Sequence, residues 1–319
     1  MVVGRPANKP FSGLVPACRT FTFAPRFGLP TADVRFVLAG ESRSIHVLSL
    51  FAMNPVCSLF RTSIGKKFIM AVTGAVLVAF ISGHLVGNLQ IFASPDKING
   101  YAHFLQSLGP VLWIERLVLL ACAIVHVGIA VQLTIENQQA RPEQYDFNHT
   151  IRATLSSRTM RWTGAVVAAF IAYHLAQFTV GWAGAKDFKA VLPEYVMQSD
   201  FHILGIPVVA KDLPVRDVYS MVFLGFSHTV VALFYIIAVG LLSVHLMHGA
   251  ESMFQTLGWK SGKWAALLKK VVVLCCVLYF LGNLAIPGAI LTGIARPAQG
   301  TYAAQRLDAA VPSAIVTQR

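Results

Sequence analysis

The sequence predicts an all-α integral membrane protein, a bundle of five transmembrane helices. The 319 residues are 55% hydrophobic and only 13% charged, with a mean hydropathy of +0.62. A soluble domain carries about 25% charged residues. Long apolar runs explain the deficit, because about 20 apolar residues span a bilayer as a helix that satisfies its own backbone. We identify five such runs: Phe68–Phe92, Val111–Leu133, Trp162–Trp182, Met221–Met247 and Leu267–Leu291.

The basic residues set the expected orientation. The formal net charge of +12 raises the question of nucleic-acid binding, but the cations lie where membrane proteins carry them. One side has eleven in short flanks: Arg61, Lys66, Lys67, Arg141, Arg152, Arg158, Arg161, Lys260, Lys263, Lys269 and Lys270. The positive-inside rule then places the N-terminus in the cytoplasm, in a multi-pass protein of the cytoplasmic (inner) membrane. We expect membrane lipid, and no nucleic acid, as the partner of these charges.

The chain divides into three parts. Residues 1–57 contain no apolar run long enough to cross a membrane, and we expect a disordered or non-native extension. Residues 58–291 form the five-helix domain, and residues 292–319 are a C-terminal tail. The five cysteines form neither a CxxC nor a CxxCH motif, which argues against covalent c-type heme and thiolate metal sites.

An internal repeat relates the first and third predicted spans. Thr73–Leu85 matches Thr163–Leu175 without a gap at nine of thirteen positions. Both copies begin with Thr-Gly and carry a histidine, His84 or His174, next to last. Apolar composition alone explains the alanine and valine matches but not these polar positions. The first and third spans are therefore predicted to be structural counterparts.

Histidines within the apolar runs are the candidate functional residues. Five of the ten histidines lie in these runs or at their ends: His84, His126, His174, His228 and His245. His248 lies one turn after the last of them. Ionisable residues inside a membrane are costly and by default mark a function. A single one is commonly a helix-packing residue, but four on four different spans favour a function.

The expected depths sort these histidines into two pairs. His84 and His174 lie on outward-running spans, nearer the outer side, whereas His126 and His245 lie past the midpoints of inward-running spans. Two bis-histidine hemes stacked across a bundle need this arrangement, and such an iron transfers electrons without binding oxygen. His248 shares a helix face with His245, so spacing alone leaves both open. Small neighbours such as Gly87 and Gly249 are compatible with a flat macrocycle.

From Ser58 to about Pro287 the chain resembles the cytochrome b subunit of the succinate dehydrogenase/fumarate reductase family, of the type with five helices and two b hemes. The resemblance lies in Thr73-Gly74 with His84, Gly83–Asn88, Arg116 with His126, Met160–Gly164 with His174, and His245–Gly258. It implies an outer heme on His84 and His174 and an inner heme on His126 and His245. It selects His245 over His248 through the spacing to Gly249 and Gly258.

The resemblance also implies partners. These are a flavoprotein with FAD, an iron–sulfur subunit on the cytoplasmic face, and a quinone, with menaquinone expected. Such a subunit alone catalyses no dicarboxylate chemistry. Some family members carry a glutamate for proton transfer two residues before the fourth ligand, where this chain has Ser243. Proton coupling by that route is therefore not expected here.

Further site residues remain open at this point. Asn88, Tyr101, and Glu115 with Arg116 are candidates to exchange protons with the quinone, or else cap and pair at the membrane interface. Arg158 and Arg161 are candidates to hold heme propionates, or else act as topology signals. The alternatives are a heme b subunit of another quinone-linked dehydrogenase or hydrogenase, and a non-heme transporter or assembly protein.

Overall fold

The structure, a computed structural model, describes residues 59–140 and 155–310. Within them, five helices are long and apolar enough to cross a membrane. The predicted all-α bundle is thereby confirmed, and the chain is a multi-pass membrane protein. The predicted extension over residues 1–57 and the end of the tail lie outside the described residues.

The described part of the chain contains eight α-helices. They are α1 (Ser63–Leu89), α2 (Pro95–Ser107), α3 (Pro110–Gln139), α4 (Leu155–His174), α5 (Val218–Ser227), α6 (Thr229–Thr256), α7 (Trp264–Leu291) and α8 (Tyr302–Ala310). The spans are α1, α3, α4, α6 and α7, and α4 continues as a π-helical turn, Leu175–Val180. Short 3-10 turns cover Gln90–Phe92 and Ala185–Asp187.

Local signals begin several of these helices. Thr62 caps α1 by accepting a hydrogen bond from the Gly65 amide at 3.1 Å. Ser94 caps α2 in the same way, and Pro95 follows at the first helical position, where a missing N–H costs nothing. Gly109, with φ of +53°, makes the turn between α2 and α3. These devices satisfy amides that a helix start leaves free.

The fourth span differs from its predicted bounds. Met221–Met247 reads as one apolar run, but the backbone is extended at His228 (φ −77°, ψ 106°), so α5 ends at Ser227 and α6 begins at Thr229. Seven of the ten α5 residues are buried, and the helix belongs to the core at one end of the bundle. An apolar run does not reveal such a break, because both helices are equally apolar.

Helix α6 lies at the centre of the bundle and packs against α1, α4 and α7, while α1 also packs against α3. We call the end where α1 begins and α3 ends the Lys66 end, and the other the Asp217 end. At the Asp217 end, α5 contacts α2, α7 and α8. Most of each span's surface faces outward and is apolar, as lipid contact requires.

The long segment between α4 and α5, whose shape the sequence left unspecified, folds into two small antiparallel sheets. Strand β1 (Tyr195–Val196) pairs with β4 (Pro214–Val215), and β2 (Phe201–Ile203) pairs with β3 (Ile206–Val209). Gly100 of α2 permits their close approach, since a Cβ there would lie 2.6 Å from that of Phe201. This segment covers the Asp217 end beside α2.

Candidate functional site

The structure brings four span histidines together in two pairs. The rings of His84 (α1) and His174 (α4) have centroids 5.7 Å apart and are nearly perpendicular, at 87°. His126 (α3) and His245 (α6) are close enough to interact electrostatically. The first pair lies near the Asp217 end, where α1 and α4 finish. The second lies deeper, towards the Lys66 end. These two pairs contain the same residues as the two pairs expected from the depth of each histidine in its predicted span.

Both histidines of the second pair contact a threonine from the neighbouring span. Nδ1 of His126 lies 3.2 Å from Oγ1 of Thr73 in α1. Nδ1 of His245 lies 3.4 Å from Oγ1 of Thr163 in α4. These threonines are equivalent positions of the internal repeat. The repeat is therefore a structural one in which each copy positions one histidine of the same pair.

The threonine hydrogen bonds define which ring nitrogen carries the proton. Thr73 donates its hydroxyl hydrogen to the Ile69 carbonyl at 2.8 Å, and Thr163 donates to the Thr159 carbonyl at 3.1 Å. Each hydroxyl has only one hydrogen, so a threonine that donates it to the carbonyl can only accept from an Nδ1–H of the ring. In that tautomer, Nε2 of His126 and of His245 is the electron-pair donor. Metal-bound histidines are commonly oriented in this way.

The glycine that follows each threonine makes room for the ring. A Cβ added at Gly74 would lie 3.3 Å from Cε1 of His126, and one at Gly164 would lie 3.4 Å from Cε1 of His245. An alanine at Gly74 would require the ring to shift by a few tenths of an ångström, whereas one at Gly164 would make an ordinary van der Waals contact. Sequence reasoning noticed the repeated Thr-Gly but assigned it no role. The signal in the sequence for this role was the recurrence of Thr-Gly at positions 73–74 and 163–164, 90 residues apart.

A tyrosine orients His174 of the other pair. Tyr235 of α6 donates its hydroxyl hydrogen to Oε1 of Gln177 at 2.9 Å, and its oxygen lies 3.3 Å from Nδ1 of His174. By the same reasoning Nδ1–H of His174 is the donor, and Nε2 is free. The π-helical turn begins directly after His174 and contains Gln177. Such turns are frequent at functional sites because they re-aim side chains.

The remaining predicted residues lie elsewhere. His228 belongs to neither pair, since it caps α6 and contacts Asp187 at 3.2 Å. His248 lies within electrostatic range of His245. Gly87, expected to leave space for a macrocycle, instead receives Tyr101, because a Cβ there would lie 2.6 Å from that ring.

Four charged candidates are exposed. Arg158 and Arg161 lie at the start of α4, at the Lys66 end. Glu115 and Arg116 lie on α3 near the Asp217 end, where the Arg116 guanidinium stacks 5.1 Å from the Trp113 ring. Asn88 is half-buried near the end of α1, next to the Gly87 position that Tyr101 occupies.

No protein-family model, no curated protein and no solved structure matches this chain. The site therefore has to be interpreted from its own chemistry. Within residues 59–140 and 155–310, no group of three or more His, Cys, Asp or Glu side chains is arranged to hold a metal ion. The donors that the fold does assemble are pairs of imidazoles. Three of these four rings have Nδ1 engaged by a hydroxyl and Nε2 free.

Proposed function

We propose that this chain is the diheme cytochrome b membrane anchor of a succinate:quinone oxidoreductase, passing electrons between an iron–sulfur subunit and a membrane quinone. The observation that carries the proposal is the grouping of four span histidines into two pairs, one with adjacent rings and one within electrostatic range. A structural role for isolated histidines would not require such pairing across four different helices. The resemblance in the sequence supplies the choice of complex.

The donor set fits two b hemes. His84 and His174 would hold one, and His126 and His245 the other, with His248 as the alternative fourth ligand. A heme iron held by two imidazoles changes its oxidation state by one electron and offers no open position to oxygen. Neutral Nε2 donors are what such an iron requires, and three of the four rings are oriented to supply them.

The chain's own residues hold these ligands in place. Thr73 and Thr163 anchor the rings of the deeper pair, and Tyr235 anchors His174. Aromatic side chains flank the His84–His174 pair, of which His84 is exposed at the surface of the bundle. Phe80 stacks on His84 at 5.5 Å, and Phe178 lies 5.5 Å from His174. An apolar, water-poor surrounding suits a flat macrocycle and raises the importance of each remaining hydrogen bond.

The two ends of the bundle would serve different partners. We assign the Lys66 end to the cytoplasm, where the iron–sulfur subunit and its FAD-containing flavoprotein would dock, and where Arg158 and Arg161 would hold propionates. The Asp217 end would receive the quinone, which we expect to be menaquinone. Asn88, Tyr101, Glu115 and Arg116 lie there.

A spectrum of the purified protein tests the proposal. The chain is produced in membranes with heme supplied, and a reduced-minus-oxidised spectrum is combined with a pyridine hemochrome titration. We expect two low-spin b hemes per chain, one of which is lost in each of His84→Ala and His126→Ala. His228→Ala is the matched control and should keep both. Well-folded protein without heme would overturn the proposal in favour of a transporter or assembly protein.

Two further measurements refine the assignment. His245→Ala and His248→Ala are compared, and only the variant lacking the true ligand should lose the second heme. Succinate-dependent reduction of the hemes, with the partner subunits present, identifies the complex. Reduction by hydrogen or formate through other partners would instead indicate another quinone-linked oxidoreductase.

A further inference from the structure

A polar cavity of about 290 Å³ opens at the Asp217 end between α2 and the strand segment. Its lining is rich in hydrogen-bonding groups: His103, Gln106 and Ser107 from α2, with Glu194, Pro214, Val215 and Arg216 from the segment before α5. The volume approaches that of small-molecule sites, about 300 Å³ and above. None of the four paired histidines lines this cavity.

One of three electrostatically interacting cations lies in the wall of this cavity. Arg216 lines it, and both Arg216 and Arg116 are close enough to repel the ammonium group of Lys189. Burial lowers the pKa of Lys189, and the repulsion by the two guanidinium groups lowers it further. Lys189 donates to the Phe178 carbonyl at 3.3 Å, which holds it in place but does not neutralise it.

No ion pair in the part of the chain that the structure describes balances the positive charge of this cluster. Among the described residues, none of Arg116, Lys189 and Arg216 forms an ion pair. Glu194 in the cavity wall and Glu115 next to Arg116 are solvent-exposed. The buried carboxylate of Asp217, next to Arg216, accepts hydrogen bonds from the Asn99 side chain and the Ser220 backbone amide. An anion bound between these cations would offset their mutual repulsion.

The cluster lies at the boundary of the apolar belt. Arg116 is on the second turn of α3, and its neighbours Trp113, Ile114 and Leu117 are each 61% exposed. Apolar side chains this exposed on a spanning helix face lipid, and tryptophan marks the depth of the headgroups. The guanidinium of Arg116 stacks on Trp113 at 5.1 Å and is therefore held at that same depth.

We propose that Arg116, Lys189 and Arg216 bind the phosphate of an anionic phospholipid headgroup at the mouth of this cavity. Arginine forks match phosphate oxygens, and Ser107, Gln106 and His103 supply further hydrogen bonds to the headgroup. The acyl chains then extend along the exposed apolar face of α3. This site shares Arg116 with the residues named above as quinone candidates, but Lys189, Arg216 and the cavity lining have no part in the proposed electron-transfer function.

Native mass spectrometry of the full chain in detergent tests the site. Phosphatidylglycerol and phosphatidylcholine are titrated in parallel, and we expect preferential retention of phosphatidylglycerol. Each cation removed should weaken binding about fivefold, so Lys189→Gln with Arg216→Gln should cost about 25-fold. The matched control removes two exposed cations of the same segment outside the cluster, Lys186→Gln with Lys211→Gln, and should change little.

A competition experiment identifies the source of the phosphate. Retention of phosphatidylglycerol in excess inorganic phosphate supports a lipid site, because the chains add contacts that free phosphate lacks. Displacement by inorganic phosphate would show a free-phosphate site and overturn the lipid assignment. Equal binding of the two lipids, or unchanged binding in the double variant, would also overturn it. Heme content is recorded in every sample, so failure of the lipid site is distinguished from failure of the proposed function.

Discussion

The hydroxyl oxygen of Thr73 lies 3.2 Å from Nδ1 of His126, and the same contact recurs at 3.4 Å between Thr163 and His245. In both cases the threonine begins a copy of the internal repeat, whereas the histidine comes from a span without that repeat. Each copy thus contributes one histidine to the pair near the Asp217 end and orients one histidine of the other pair. The repeat joins the two pairs through α1 and α4.

Replacing Thr73 with valine removes the acceptor of the His126 ring N–H without changing the side-chain volume much. Hydrogen-bond partners of metal-bound histidines contribute about 10–100-fold in metal affinity. We expect Thr73→Val to lower occupancy of the heme at His126 and His245 and leave the other heme in place. The pyridine hemochrome assay after dilution measures the loss.

Thr134→Val is the control for that substitution. Thr134 also donates to the carbonyl four residues earlier, that of Ala130, at 2.8 Å. Valine at position 134 therefore removes the same kind of hydrogen bond within a helix as valine at position 73. Thr163→Val should reproduce Thr73→Val, since it addresses the same pair. If Thr73→Val and Thr134→Val retain heme equally well, the orienting role of Thr73 is refuted.

An alanine at Gly74 should displace the His126 ring. Its Cβ would lie 3.3 Å from Cε1 of that ring, which must shift by a few tenths of an ångström. We expect a shifted absorption band for one heme, and loss of that heme in Gly74→Val. Gly128→Ala is the control because a Cβ there meets nothing within 4 Å. It should only gain helix propensity, about 1 kcal/mol, and an identical spectrum for all three variants would contradict the prediction.

The ion pair between Lys66 and Glu136 should respond asymmetrically to mutation. Lys66, at the start of α1, is buried, whereas Glu136, near the end of α3, is 43% exposed. Glu136→Gln leaves a buried ammonium without its counter-charge, so we expect about 1–3 kcal/mol of destabilisation. Lys66→Met leaves only a carboxylate that water can solvate, and should cost under about 1 kcal/mol. Thermal unfolding in detergent compares the two, and the reverse order would show that Lys66 is solvated in the native protein.

The carboxylate of Asp96 holds the strand segment onto α2. It accepts hydrogen bonds from the Tyr195 hydroxyl at 2.9 Å, the Gln198 amide at 2.8 Å and the Ser199 hydroxyl at 2.8 Å. Burial and the adjacent Asp96 raise the pKa of Tyr195, so its hydroxyl remains a donor. In Asp96→Asn, the side-chain NH2 group replaces one acceptor oxygen and faces one of these donors, so that hydrogen bond is lost. We expect about 1–3 kcal/mol of local destabilisation.

Amide hydrogen exchange over residues 195–217 measures this effect, and faster exchange is expected only there. Asp200→Asn is the control, because Asp200 is exposed and accepts from the Lys211 amide outside this network. Unchanged exchange in Asp96→Asn would mean that apolar contacts of Met197 and Val215 hold the segment without it.

The turn between β2 and β3 contains a strained leucine. Leu204 has φ of +51° and is 97% exposed, so no packing offsets the left-handed backbone. Leu204→Asn should raise stability in detergent by about 0.5–1 kcal/mol, since asparagine tolerates this conformation. Val208→Asn, at an exposed strand position with ordinary backbone angles, should not stabilise. A loss of stability for Leu204→Asn in lipid bilayers would instead show that the leucine inserts into an apolar surface.

Composition along the chain was sufficient to predict the number of spans and the candidate histidines, although not where the fourth span begins. Whether about 20 consecutive residues enter a bilayer depends on their summed transfer free energy, which is a local property of the sequence. The cost of an ionisable group in such a run is local too, so His84, His126, His174 and His245 stood out without any knowledge of their neighbours.

Contacts between helices could not be predicted in this way. The pairing of Thr73 with His126, the filling of the Gly87 position by Tyr101 and the break at His228 depend on how each helix is rotated and on which helix lies beside it. Packing of side chains from distant parts of the chain sets that rotation, and lipid-facing and protein-facing positions are equally apolar. Hydropathy therefore does not indicate the rotation of each helix, and only the assembled bundle defines which side chains contact one another.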